Sequence, residues 1–176
     1  CATRPAWPQE RIPQQRIVLI RDAETETLLR GLESQLYRVA GLDPRLVRIM
    51  LVRDRAINAF VTSGNRMFIN TGLLSQADSA AEVAGTMAHE TGHVAHGDIS
   101  RMPEMAQQAM LQMLGGLLIA AGAGAAAGDP GVGMGGAMGG VSMAERRFLS
   151  FSRGQEENAD DSGVRYLDRL GWPVTG

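Results

Sequence analysis

One helix has both of its ends marked in the sequence, and it carries every histidine of the chain. Ser79 with Glu82 three residues later fits a capping box, and Gly97 fits a C-terminal stop, so the spacing predicts a helix over 80–96. Val83, Met87 and Val94 share one face of it, with small Ala84, Ala88 and Ala95 beside them. His89, His93 and His96 are the only three histidines, and all fall in its second half.

His89-Glu90-Thr91-Gly92-His93 is an H-E-x-x-H motif inside that helix. Residues four apart lie on one helix face, about one turn from each other. Two imidazoles so placed can each aim a nitrogen at a single Zn²⁺ about 2 Å away. Glu90 is offset from both, so its carboxylate can reach a water at the metal without ligating and serve as general base. A catalytic zinc takes three protein ligands. The single cysteine, Cys1, excludes a multi-cysteine site and an internal disulfide. His96 lies on the same face, but its place at the helix end suits a supporting residue better than a ligand. The better third ligand stands in Glu156-Glu157-Asn158-Ala159-Asp160. Glu156 would complete a His₂Glu set, and Asp160, one turn on, would accept the N–H of a ligating histidine. Glu157 points about 100° away and reads as solvated. The plain alternative for the whole group is a charged, solvated helix face.

The remaining chain reads as one domain. Residues 22–40 form an amphipathic helix with Leu28, Leu29, Leu32, Leu36 and Val39 on its apolar face. Residues 45–52 read as a strand, and 57–62 and 66–70 as a hairpin turning at Ser63-Gly64-Asn65. Residues 153–170 read as the last helix, with Ala159, Val164, Leu167 and Leu170 as its apolar positions. Helix, then strands, then helices imply an α+β fold: a small antiparallel sheet, a mainly helical body, and the H-E-x-x-H helix against the sheet. Residues 105–128 carry no charge, and 115–140 are so rich in glycine that they read as a mobile segment or a hinged helix pair, able to act as a lid. The uncharged run is also long enough to enter a membrane, although Gln107, Gln108 and Gln112 interrupt it. Seventeen basic against nineteen acidic residues, a net charge of −2, exclude nucleic acid as the main partner.

Three blocks together resemble the gluzincin metallopeptidases that include HtpX, the CAAX prenyl proteases and the BepA-like proteases (metallopeptidase family forty-eight). They are Asn58-Ala59-Phe60 with Gly64 and Thr71-Gly72-Leu73-Leu74, then His89–Val94 with His96, then Ser152-Arg153-Gly154-Gln155-Glu156 closing on Ala159-Asp160. The likeness runs over about 22–173 and is nearest the BepA-like members, since the four membrane helices expected of HtpX are absent. It implies a zincin-like fold and a zinc metalloendopeptidase with His89, His93 and Glu156 as ligands and Glu90 as base. Asp160 and His96 would support the ligands, and the strand at Asn58, Ala59 and Phe60 would align an extended substrate.

The substrate is then a polypeptide, with unfolded or misfolded envelope proteins as the expected class. Residues 1–21 read as a proline-broken tether, and Cys1 as the start of a mature lipoprotein, lipidated and anchored at the periplasmic or cell-envelope side of a membrane. The metalloprotease domain is expected over 22–176, cut short of the helices that family members carry beyond the Gly171-Trp172-Pro173 turn. Such missing segments would hold any oxyanion-stabilising residue. Two other readings stand beside the protease: a zinc-fold binding or chaperone-like module with little turnover, and an enzyme embedded in lipid through 105–128.

Overall fold

A computed structural model describes residues 17–128 and 130–173, with side chains except at 123–124, 130 and 132–148. Cys1 and most of the tether lie outside them. The elements run β1 Leu19–Ile20, α1 Ala23–Val39, β2 Arg48–Val52, β3 Ala59–Thr62, β4 Arg66–Asn70, α2 Thr71–Gln76, α3 Ala80–His96, α4 Asp98–Ala127 and α5 Pro130–Arg169. The chain is mixed α+β, mostly helical with a small open sheet.

The ends of the helices follow local chemistry. Asp22 caps α1 by accepting from the Thr25 N–H at 2.9 Å. Ser79 caps α3 by accepting from Glu82 N–H, and the Glu82 carboxylate reaches back to the Asp78 N–H at 2.9 Å, a set worth about 1 kcal/mol. Gly97 ends α3 with φ +69, the left-handed conformation that glycine adopts without a Cβ clash.

The sheet has the order β1-β2-β4-β3. β3 and β4 form the expected antiparallel hairpin, with Gly64 at φ 78 and Asn65 at φ 54 in the turn. The expectation of an antiparallel sheet fails at its centre, because β2 and β4 run parallel, Arg48 opposite Arg66 through Val52 opposite Asn70. The reason is the loop between β2 and β3. It crosses the end of β4, where the Gly72 N–H bonds Asp54 O at 2.7 Å and Thr71 Oγ1 bonds the same carbonyl. A Cβ on Gly72 would stand 2.2 Å from Arg55 O, so the crossing requires glycine there. β4 therefore takes the middle of the sheet and β3 the edge. Residues 19–20, assigned above to the tether, instead pair antiparallel with Val52 and Leu51.

Ile49 and Leu51 of β2, Met67 and Ile69 of β4, and Ala59 of β3 point into the core. Leu29, Leu36 and Tyr37 of α1, Ala84, Met87 and Ala88 of α3, and Tyr166 and Leu167 of α5 close over them. Leu28 and Val164, counted above as apolar-face positions, stay exposed. Residues 115–140 are helical on both sides of a turn at Gly128, and the last helix begins at Pro130 rather than 153.

α3 and α5 cross without side chains between them. A Cβ on Gly92 would lie 2.9 Å from both Cα and O of Ala159, and one on Gly163 would lie 3.1 Å from His89 N. One acidic residue is sealed in the core beside this crossing: Glu33 of α1, wholly buried, accepts from Thr91 Oγ1 at 2.9 Å. Burial pushes the Glu33 pKa from 4.5 up to about 8, against the hydrogen bond from Thr91 and with help from the nearby Glu90 charge.

Two outcomes follow. Gly92→Ala forces α3 off α5 and destabilises the chain by about 1–3 kcal/mol in urea unfolding. Between pH 4.5 and about 8 the folded chain keeps a proton on Glu33 that the unfolded chain has lost. Stability therefore falls as pH rises across that window. Glu33→Gln removes that slope, which urea midpoints measured across the window will show.

Candidate metal centre

The α3–α5 crossing carries the site. His89 and His93 lie one turn apart on α3, and Glu156 and Asp160 one turn apart on α5, directly opposite. His89 Nε2 stands 3.1 Å from His93 Nε2 and 3.4 Å from Glu156 Oε2, and His93 Nε2 is 3.7 Å from Glu156 Oε1. The three ligand atoms lie within 4.8 Å of one another and could hold a metal ion. Tetrahedral donors held about 2.0–2.1 Å from a zinc ion are about 3.3–3.4 Å apart. The observed spacings are near this, with Glu156 Oε2 facing His89 and Oε1 facing His93, so small side-chain shifts would close the set on one ion.

The other nitrogen of each ring is spoken for. His89 Nδ1 is 2.7 Å from Asp160 Oδ1, and His93 Nδ1 is 3.0 Å from Asp98 Oδ2. Each carboxylate can accept the Nδ1–H, which leaves the Nε2 lone pairs facing Glu156 and each other. Asp98 is the residue that sequence reasoning missed. It is nearly buried and opens α4 directly after the Gly97 stop. Its signal was a carboxylate just past the left-handed glycine, where the chain doubles back beside the last turn of α3.

Glu90 turns the other way, towards the sheet. Its Oε2 accepts from the Val61 N–H of β3 at 3.0 Å, so it borders the histidine pair without joining it. Burial raises its pKa, opposed by His93 and His89 and by the Val61 hydrogen bond. His96 takes no part in the cluster, and its Nε2 lies 3.3 Å from Ser162 Oγ on α5.

β3 is an edge strand, as strand pairing with a substrate requires, but the residues with free backbone groups differ from those expected. The Asn70 N–H bonds Asn58 O, and in the alternation of an antiparallel ladder Phe60 and Thr62 face β4 as Asn58 does. The groups that face outward belong to Ala59 and Val61, and of these the Val61 N–H is taken by Glu90. Phe60 stacks on Phe68 instead, with centroids 5.0 Å apart. A cleft of about 160 Å³ lies beside His93 at the end of this edge, walled by Val61, Thr62, Asn65, Val94 and Ile99 among others.

A family model described as Peptidase family M48 matches residues 22–175. A beta-barrel assembly-enhancing protease of Yersinia pestis is 30% identical over 126 residues, 69% of this chain and 25% of that protein. The protein of the same name from Escherichia coli K12 is 26% identical over 158 residues, 88% of this chain and 31% of that protein. A protease HtpX homolog of Bacillus licheniformis is 40% identical over 72 residues, 39% of this chain and 24% of that protein. The chain thus spans about a quarter to a third of the length of these relatives.

Removing either supporting carboxylate loosens a ligand ring. Asp98→Asn and Asp160→Asn are each expected to weaken zinc binding by about 10–100-fold, measured by competition with a chromogenic chelator, whereas His96→Ala leaves it unchanged.

Proposed function

The chain belongs to peptidase family M48, and we propose that it is a zinc-dependent metalloendopeptidase acting on unfolded or misfolded polypeptides of the cell envelope. One observation supports this most: two histidine nitrogens and a glutamate oxygen converge at the spacing of a tetrahedral ion, with a separate glutamate beside them. When bound, a zinc ion supplies Lewis acidity, making water more acidic and a carbonyl more electrophilic.

The chain's own residues do the rest. Asp160 and Asp98 keep the Nδ1 protons of His89 and His93 in place, so both rings present Nε2 to the cleft. Glu90, anchored on Val61, is positioned to take a proton from the attacking water and deliver it to the departing amine. Burial makes Glu90 more basic than a solvated carboxylate, which suits a group that must accept a proton and then release it. The outward Ala59 N–H and C=O and the Val61 C=O pair with an extended backbone, while the Val61 N–H holds Glu90, so affinity comes from main-chain bonds and little from sequence. That mode selects unfolded chain over folded protein. The cleft beside His93 admits a substrate side chain.

The envelope assignment draws on the names of the relatives, which refer to β-barrel assembly. The binding-module reading shares the zinc but not the turnover, so one experiment separates the two. The zinc-loaded chain is expected to cleave casein, to lose this with a chelator and to regain it with zinc. Glu90→Gln should keep one zinc per chain and lose about 10²–10⁴-fold in cleavage rate. Undiminished cleavage in that variant would remove Glu90 from the chemistry, and zinc binding without any cleavage in the parent chain would favour the binding module.

A further inference from the structure

α4 and α5 leave the metal centre as a long antiparallel hairpin, and its packing is inverted relative to a hairpin in water. On α4, Ala109 and Gly116 are half-buried and Ala120 is only 4% exposed, a stripe of small residues. The large side chains point away: Leu111 is 61%, Leu118 74% and Ile119 76% exposed, with Met110, Leu114 and Leu117 beside them. A helix that packs in water turns its large apolar residues inward. Helices that pack in lipid do the reverse, because small residues let backbones approach and the surrounding solvent is itself apolar. The α5 arm is also uncharged over 130–144 and carries Gly131, Gly135 and Gly139 at a spacing of four.

Charge and length agree with the packing. Asp129 is the only charged residue between Glu104 and Glu145. The uncharged arms, 105–127 and 130–144, rise roughly 34 Å and 22 Å, so the shorter one reaches most of the way through a hydrocarbon core about 30 Å thick. Glu145, Arg146 and Arg147 follow the uncharged arm of α5 in sequence, and charged groups at that boundary belong among lipid headgroups.

We infer that the α4–α5 hairpin inserts into a lipid bilayer, with the outward Leu, Ile and Met side chains of α4 against acyl chains. Insertion puts the metal centre at the membrane surface, since Glu156 lies roughly 14 Å beyond Arg147 along α5. On the protease reading, the substrates are then polypeptide segments at that surface. The insertion itself does not depend on turnover.

The test uses the unacylated 176-residue chain and vesicles of phosphatidylethanolamine and phosphatidylglycerol. The chain is expected to float with the vesicles and to stay bound in about 1 M salt, since apolar burial is not screened. L118E combined with I119E should lower vesicle partitioning at least about 100-fold, while circular dichroism and casein cleavage stay as in the parent. Independently, Leu118→Trp should blue-shift its emission on adding vesicles and be quenched by lipids brominated in the acyl chain. A parent chain that stays with the unbound protein overturns the inference, as does an L118E/I119E variant that floats like the parent. So does a dimer in sedimentation that L118E/I119E dissolves without any flotation, which would give this face to a second copy of the chain.

Discussion

The structure depends on one close approach, that of α3 to α5 at Gly92 and Ala159. Nothing but backbone and one methyl group separates the two helices there. A ligand set split between two helices can close on one ion only if their axes come near enough for short side chains to meet. Glycine at 92 and at 163 makes that distance available, and the i, i+4 repeat on each helix then delivers two pairs of functional groups to the same spot. The second x of H-E-x-x-H, Gly92, is thus a packing requirement as much as a motif letter. Its neighbour Thr91 looks the other way, into the core, and ties α3 to α1 through Glu33.

Around that crossing the polar groups are paired in layers. His89 leans on Asp160 and His93 on Asp98, so each imidazole is held by a carboxylate from a different helix. Glu90 is held by the backbone of the edge strand. Both imidazoles and Glu90 are therefore held by partners outside α3. The centre depends on α4 and α5 staying in register with α3, and the same two helices form the hairpin that reaches away from the body.

Much of this was legible in the sequence because local rules decide it. The capped helix over 80–96, the turn at Gly64-Asn65 and the pairs His89/His93 and Glu156/Asp160 follow from capping, turn chemistry and helical spacing, whereas the meeting of the two pairs was implied by the family resemblance. Other features depend on partners that a linear reading cannot see. A hairpin signal says that β3 and β4 pair, but not which of them lies beside β2. That was decided by the loop over Gly72, and it made the central pair parallel. Asp98 escaped notice because its role depends on the chain reversing at Gly97. The glycine-rich stretch read as either a mobile segment or a hinged helix pair, because glycine is a poor helix former in water, and both arms are helical. That preference loses force where close helix contact is what the small residues provide.

The account predicts a metal shell of specified make-up, and X-ray absorption at the zinc edge of the zinc-loaded chain reads it directly. Two imidazole nitrogens with oxygen donors at about 2.0–2.1 Å and no sulfur are expected. Three imidazoles would bring in His96. That result, or a shell without imidazole, would contradict closure of His89, His93 and Glu156 around one ion.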